Sequence, residues 1–335
     1  LVSEVSRKAR AAAAGALLGL AAVVGAATAA AEEVSFKDPT GDDNGPGNYT
    51  YPTGEVYKPG SFDLTGFTLK ARGDKVEVRV SVAARLEDPW RTGSGFSLQT
   101  VFIFIQTEAK SEKPAEAKSE KPNAAKSEKP TEAKSEKPAA PKSEKPSTAK
   151  AEAKSAAKSA KKAGGGGFTQ GLPGLGVQFA PEDAWDRCII LSPLPASRVR
   201  EEVEAKAAAM KGAIVIPSRV RGSGRTISAT LDRKALGAGD PTTWGYQVVM
   251  ASNDLFPAPG DLLVRKVNER ESQHRFGGGT DGDCDPNVVD VLAGGGKGEP
   301  GEVEAQHRML QYECNPDGTP KKLATLKMIH FEEEE

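Results

Sequence analysis

Cysteine and histidine are scarce in this 335-residue chain, three of each. The histidines, His274, His307 and His330, are widely scattered, and no Cys/His spacing resembles a zinc site. Catalytic signatures are also missing. There is no G-x-S-x-G elbow and no H-E-x-x-H helix. Nothing singles out two carboxylates at the separation that glycoside hydrolysis needs. His274, in Gln273-His-Arg-Phe-Gly277, reads as a hydrogen-bonded strand-end residue rather than a general base. Gly277-Gly-Gly279 lacks the Lys-Ser/Thr that would follow in a phosphate loop, so nucleotide binding is set aside. Net charge is close to balance at -1, which argues against a broad basic face for nucleic acid. Beyond the first 31 residues no run is apolar enough to cross a bilayer. Aromatic residues make up only 6%, with three tryptophans.

The first 31 residues read as a secretory leader, and the opening Leu1 as a bacterial start codon translated literally. Arg7, Lys8 and Arg10 form a basic start, Ala11 to Val24 an apolar middle, and small residues up to Ala31 a cleavage region before Glu32. The protein is therefore expected to be secreted, periplasmic or at the cell surface. In that oxidising setting the spacing of Cys284 and Cys314 allows a disulfide, whereas Cys188, in Cys188-Ile-Ile-Leu191, reads as a buried thiol.

Two acidic, glycine-rich runs are candidates for a hard cation. In Asp38-Pro-Thr-Gly-Asp42-Asp43-Asn44 the glycines let the backbone fold tightly enough for carboxylates to converge, as calcium prefers. Asp38, Asp42 and Asp43 are the expected ligands. In Asp281-Gly-Asp283-Cys-Asp285 the carboxylates alternate, as they do in many calcium loops. Pro286 stands where an EF-hand needs glycine and Leu292 where it needs the closing glutamate, so an EF-hand is excluded. Both runs also suit plain solvated turns.

The pentapeptide Lys-Ser-Glu-Lys-Pro starts at Lys110, Lys118, Lys126, Lys134 and Lys142. It offers no side chain to stack and a proline in every repeat, so residues 108–166 are expected to form a disordered insertion. Around it, runs such as Lys75-Val-Glu-Val-Arg-Val-Ser-Val82 alternate with period two. Ser97–Gln106 is more apolar and suits a central strand, and Asp261–Val267 is read as a further strand. Helices are expected over Glu201–Lys211 and Glu302–Gln311. The pattern predicts an all-β chain with two short helices, an antiparallel β-sandwich. Residues 32–107 and 167–331 would be two parts of one domain, followed by an acidic tail, 332–335.

Several strings carry a resemblance. They are Asp38-Pro-Thr-Gly-Asp-Asp-Asn-Gly-Pro-Gly47, Asp88-Pro-Trp90, Gly95-Phe-Ser-Leu-Gln99, Phe179-Ala-Pro-Glu-Asp-Ala-Trp-Asp186, Asp240-Pro-Thr-Thr-Trp-Gly-Tyr246 and Phe276–Asn287, with Gln306 and Leu310. In this order they resemble the C-terminal module of bacterial glucodextranase, also found beside catalytic domains in archaeal amylopullulanases. The resemblance implies a β-sandwich related to calcium-containing carbohydrate-binding modules, usually attached to an enzyme. The lysine-rich insertion departs from that pattern, and no stretch of the chain reads as a catalytic domain.

The expected function is non-catalytic binding of α-glucan or cell-envelope glycan, with calcium as cofactor and a separate glycoside hydrolase as a partner. The alternative is a structural cell-envelope protein that mediates protein or anionic-polymer contacts. Sugars stack their C–H faces on indole rings. Trp185, flanked by Glu182, Asp183 and Asp186, is the first candidate platform, followed by Trp244 with Tyr246, and then Trp90.

Overall fold

The computed structural model describes residues 32–107 and 167–332. The leader, the lysine-rich insertion and Glu333 to Glu335 of the acidic tail lie outside the described residues.

Two sheets face each other, antiparallel throughout except for one parallel pairing at the edge of the second. The first holds β1 (Glu32–Lys37), β2 (Leu64–Arg72), β3 (Lys75–Val82), β9 (Thr226–Asp232) and β8 (Val220–Ser223), in the order β1-β2-β3-β9-β8. The β2–β3 hairpin turns at Gly73-Asp74 with Arg72 opposite Lys75. Gly73 takes φ +59°, the left-handed value wanted at the first position of a type II′ turn. The second sheet is centred on β4 (Gln99–Gln106) and β10 (Gly245–Ser252), which pair over eight residues. β6 (Arg187–Leu191), β7 (Ile214–Val215), β11 (Asp290–Val291) and β15 (Ile329–His330) complete it.

Both of these sheets therefore mix strands from the two sides of the insertion. Val76 pairs with Leu231, and Ile103 with both Val248 and Ile189. The ends of the insertion leave from neighbouring positions. Thr107 hydrogen-bonds Asp186 through its N and Oγ1, both at 2.8 Å, and Phe168 pairs with Trp185.

The burial patterns explain the two sheets. On β3 every second residue is buried, so one face meets the core and the other solvent. On β4 and β10 all eight residues are buried, because that sheet is covered on both faces. One face (Val101, Ile103, Ile105, Tyr246, Val248, Met250) packs against Phe36, Phe67, Leu69, Val78 and Val80 of the first sheet. The other (Phe102, Phe104, Val249, Ala251) lies under a third layer of loops and helices.

That layer contains β5 (Val177–Phe179), paired in parallel with β14 (Ala324–Leu326), and a small ribbon of β12 (Glu313–Cys314) with β13 (Pro320–Lys322). It also holds α1 (Ala196–Lys206) and α2 (Gly301–Met309). Helix α1 begins about a turn before the expected start, immediately after Pro195, which sets the chain direction for the first turn. It buries Val199 and Val203, and its Glu202 bridges Arg198 (2.6 Å) and Lys206 (2.7 Å). At its end Ala207 leaves the helical region and a 3₁₀ turn, Ala208–Met210, occupies the rest of the expected span. The strand expected over Asp261–Val267 does not form. Leu263 sits at φ +60°, which breaks an extended run, so this apolar stretch is buried as an irregular segment.

Candidate functional site: a buried carboxylate cluster at the sheet edge

The Asp38–Tyr49 loop follows β1 and folds back against the second sheet. Gly45 (φ +61°) lies where a Cβ would stand 2.3 Å from the Tyr49 ring, so only glycine closes the turn. Tyr49 in turn donates its hydroxyl to Pro286 O at 2.7 Å.

This fold buries three carboxylates together. One oxygen from each of Asp38, Asp42 and Asp290 lies within 4.8 Å of the others, and all three residues are buried. Asp63, also buried, stands nearby. Parts of these groups are satisfied. Gly41 N donates to Asp63 Oδ2 (2.7 Å), Leu64 N to Asp290 Oδ2 (2.6 Å) and Ala293 N to Asp38 Oδ1 (3.3 Å). Five oxygens remain without a partner: Asp38 Oδ2, both Asp42 carboxylate oxygens, Asp63 Oδ1 and Asp290 Oδ1. Each such orphan costs free energy on the kcal/mol scale, and a buried negative charge far more, unless a cation or a proton enters.

The acidities agree with this crowding. Burial is the main cause in each case. It raises Asp38 and Asp290 well above 3.8, reinforced by the charge of Asp42 on both. Asp42 is pushed up to about 7 by burial, with the charges of Asp63, Asp43 and Glu302 adding to it. Asp63 rises to about 6, again chiefly by burial. Among the described residues, the main influences on Asp38, Asp42 and Asp290 include no lysine, arginine or histidine.

Asp43 is not part of this cluster. Its Oδ2 instead accepts a hydrogen bond from the Tyr51 hydroxyl. Asp290 takes the third place instead. Its signal in the sequence was a lone aspartate inside the apolar run Val288-Val289-Asp290-Val291-Leu292. Gln306 of α2 closes one side, with its Nε2 on Asp42 O and its Oε1 accepting from Val291 N at 2.9 Å. Glu302 fixes the adjoining loop by accepting from the backbone N–H groups of Gly295, Lys297, Gly298 and Glu299.

The expected ligands Asp281, Asp283 and Asp285 are not brought together into one cluster. Asp281 Oδ1 accepts from Glu269 N (2.7 Å), exposed Asp283 pairs with Lys266 (2.5 Å), and buried Asp285 accepts from Thr280 N and Oγ1 (2.8 and 2.7 Å). Each carboxylate is committed to a different local partner. Cys284 and Cys314 are joined in a disulfide with a Cα–Cα distance of 5.6 Å, which also removes their sulfurs as ligands for a metal beside Asp285.

Three of the four candidate aromatic platforms are core residues. Trp185 is 0% exposed, donates its Nε1–H to Gln170 O (2.8 Å) and lies between Phe104 and Phe168. Its acidic neighbours serve the backbone instead, Asp186 at Thr107 and Asp183 at Met328 N. Trp244 is 1% exposed, and Tyr246, at 0%, packs on Phe36 and Phe67 while donating its hydroxyl to Pro241 O. A ring enclosed in this way presents no face to a ligand.

Trp90 differs. It is half-buried, edge-on to His274 with ring centroids 5.5 Å apart, on a loop held by Asp88. Burial of Asp88 opposes ionisation, yet hydrogen bonds from Thr92 and Gly93 hold its carboxyl below the usual range. The following Arg91 stands at φ +54°, a conformation an arginine seldom adopts and a frequent companion of binding loops.

Two facing sheets, a buried acidic cluster and a loop carrying one half-buried indole make up a β-sandwich. The chain belongs to the family described as the C-terminal binding module, SLH-like, of glucodextranase, whose family model matches residues 34–130 and 159–328. A comparison with curated proteins returned no match. Among the described residues no helix is long and apolar enough to cross a membrane.

Proposed function

We propose that this chain is an exported, non-catalytic carbohydrate-binding module, stabilised by calcium, that takes α-glucan or cell-envelope glycan at or near the cell surface. The family match over both sides of the insertion carries the binding role, since the family describes a binding module and not a catalytic domain. Calcium is supported by an independent observation, five buried carboxylate oxygens without partners. The cluster is made of oxygen donors only, which suits a hard cation, and Asp38, Asp42 and Asp290 would hold it. Such an ion would tie the loop after β1 to strand β11, two segments from opposite sides of the insertion.

Trp90 is the platform for sugar in this reading, because it is the accessible indole and its loop is already ordered. Glycan-array binding of the chain in calcium tests the proposal. Binding to one or more neutral glycans that weakens by about 1–3 kcal/mol in Trp90→Ala, the scale of a lost aromatic contact, supports it. An array with no bound glycan in the presence of calcium refutes it.

A further inference from the structure

A second concave site lies on the far side of the second sheet, between α2 and the segment from β13 to β15. It is a half-open cavity of about 500 Å³. Its floor is hydrocarbon, formed by the buried side chains of Met309, Met328 and Ile329. Its rim carries Arg308, Lys322 and Lys327, with Gln311 beside them, and no carboxylate lines it.

Like charges around one cavity are unfavourable unless something else compensates them. Arg308 has a local reason to be there, since it sits in the last turn of α2, where the helix dipole favours a cation. Its pairing with Glu304, at 3.7 Å and largely exposed, is weak. The two lysines have no such explanation. Among the described residues neither has an ion-pair partner within 4 Å, and the carboxylates that sense them are engaged elsewhere. Asp183 accepts from Met328 N at 3.1 Å, and Glu313 pairs with Lys321 at 2.6 Å.

We propose that this cavity is a subsite for an acidic saccharide. The carboxylate would be met by Lys322, Lys327 and Arg308, and the C–H face of the ring would lie on the methionine floor. Methionine side chains are polarisable and adapt to an irregular apolar face, and Gln311 supplies an amide for a hydroxyl. The volume is in the range of sites that hold a small ligand, and its open side leaves room for a chain to continue. An acyl chain, by contrast, calls for an enclosed tunnel. The inference rests on the carbohydrate-binding reading and adds a second, charged subsite to it.

The test is titration calorimetry of the full chain in calcium with three probes: tetragalacturonate, neutral maltotetraose and inorganic phosphate. The variants are Lys322→Met/Lys327→Met and Lys322→Arg/Lys327→Arg. Tetragalacturonate should bind, and added salt should weaken it. The double methionine variant should lose about tenfold or more in affinity, as expected for removing about 1.4 kcal/mol of charge interaction. The double arginine variant, which keeps the charge, should stay within about twofold of the parent on the same scale. Both lysines are exposed, so the variants should melt like the parent.

If tetragalacturonate does not bind while the array yields a neutral glycan, the inference is overturned and the carbohydrate-binding role stands. An array with no glycan at all overturns both. Phosphate binding as tightly as tetragalacturonate, and displacing it at equal concentration, would make this a plain anion site and also overturn the assignment.

Discussion

The carboxylate cluster makes its strongest prediction through pH. Asp42 moves from 3.8 to about 7 on folding without a metal, chiefly by burial. At about 1.4 kcal/mol per pH unit, that shift sets about 4 kcal/mol against the ionised form. A group whose folded pKa is raised is tolerated while protonated, so its stabilising share is complete at low pH and disappears as pH rises through the folded value. Asp38, Asp63 and Asp290 shift in the same direction. Chelated protein should therefore lose stability between about pH 4 and pH 7, by about 4 kcal/mol from Asp42 alone. For a fold of this size, at about 2–4 °C per kcal/mol, the melting temperature should drop by about 10 °C.

Calcium supplies the missing positive charge and should remove that drop. The calcium-induced rise in melting temperature should be small at pH 4, where protons fill the site, and largest near pH 7–8. Differential scanning calorimetry with chelator and with 5 mM calcium, at least about 500 times a sensor-type Kd, measures both limbs. Asp42→Asn gives the sharpest contrast. It removes a buried negative charge without changing shape, so the chelated variant should melt higher than the chelated parent at pH 7 while losing its calcium response. Asp290→Asn should do the same, whereas Asp43→Asn should keep the response, because Asp43 faces Tyr51. A melting curve that ignores chelator at pH 7, or a calcium shift largest at pH 4, would refute the reasoning.

Two further outcomes follow from the architecture. Trp185→Ala should destabilise the chain by about 3–5 kcal/mol, the usual cost of emptying a packed aromatic site, without a specific effect on glycan binding in protein that remains folded. Denaturant melts beside the glycan assay distinguish this from a platform role, which would cost binding and little stability. Replacing residues 108–166 with a short Gly/Ser loop should leave the melting temperature almost unchanged, since loop-closure entropy varies slowly with length and both ends are anchored at Trp185 and Asp186. After proteolysis within the insertion, the two fragments should co-elute on a sizing column, and their separation would contradict the shared sheets.

The sheets were legible because period-two alternation is a local signal, and β2, β3 and β9 form where it is clear. The run of β4 was legible as central because it is continuously apolar rather than alternating, although the third layer that buries its outer face could not be read from it. Errors arose where a local pattern was silent about direction. Leu262-Leu263-Val264 has strand composition, but φ +60° at Leu263 turns it into a buried bend. The acidic setting of Trp185 suggested exposure, yet those carboxylates point at backbone N–H groups while the indole points inward.

The cluster shows why sequence proximity misleads about a site. Asp42 and Asp43 are adjacent, and in the folded loop they face different partners, one toward the sheet edge and one toward Tyr51. The third member comes from Asp290, beyond the insertion, because β11 pairs with β10 and so brings an aspartate to the floor of the loop. An isolated aspartate between valines is costly to bury and so has to be explained by something in space. The same argument applies to Asp63 between Phe62 and Leu64. Searching apolar strands for single carboxylates, and then asking which glycine-rich acidic loop they meet, would have found Asp38, Asp42 and Asp290 together and left Asp43 aside. The site is thus a product of the tertiary pairing of β10 with β11 as much as of the loop, and losing either should abolish the calcium response.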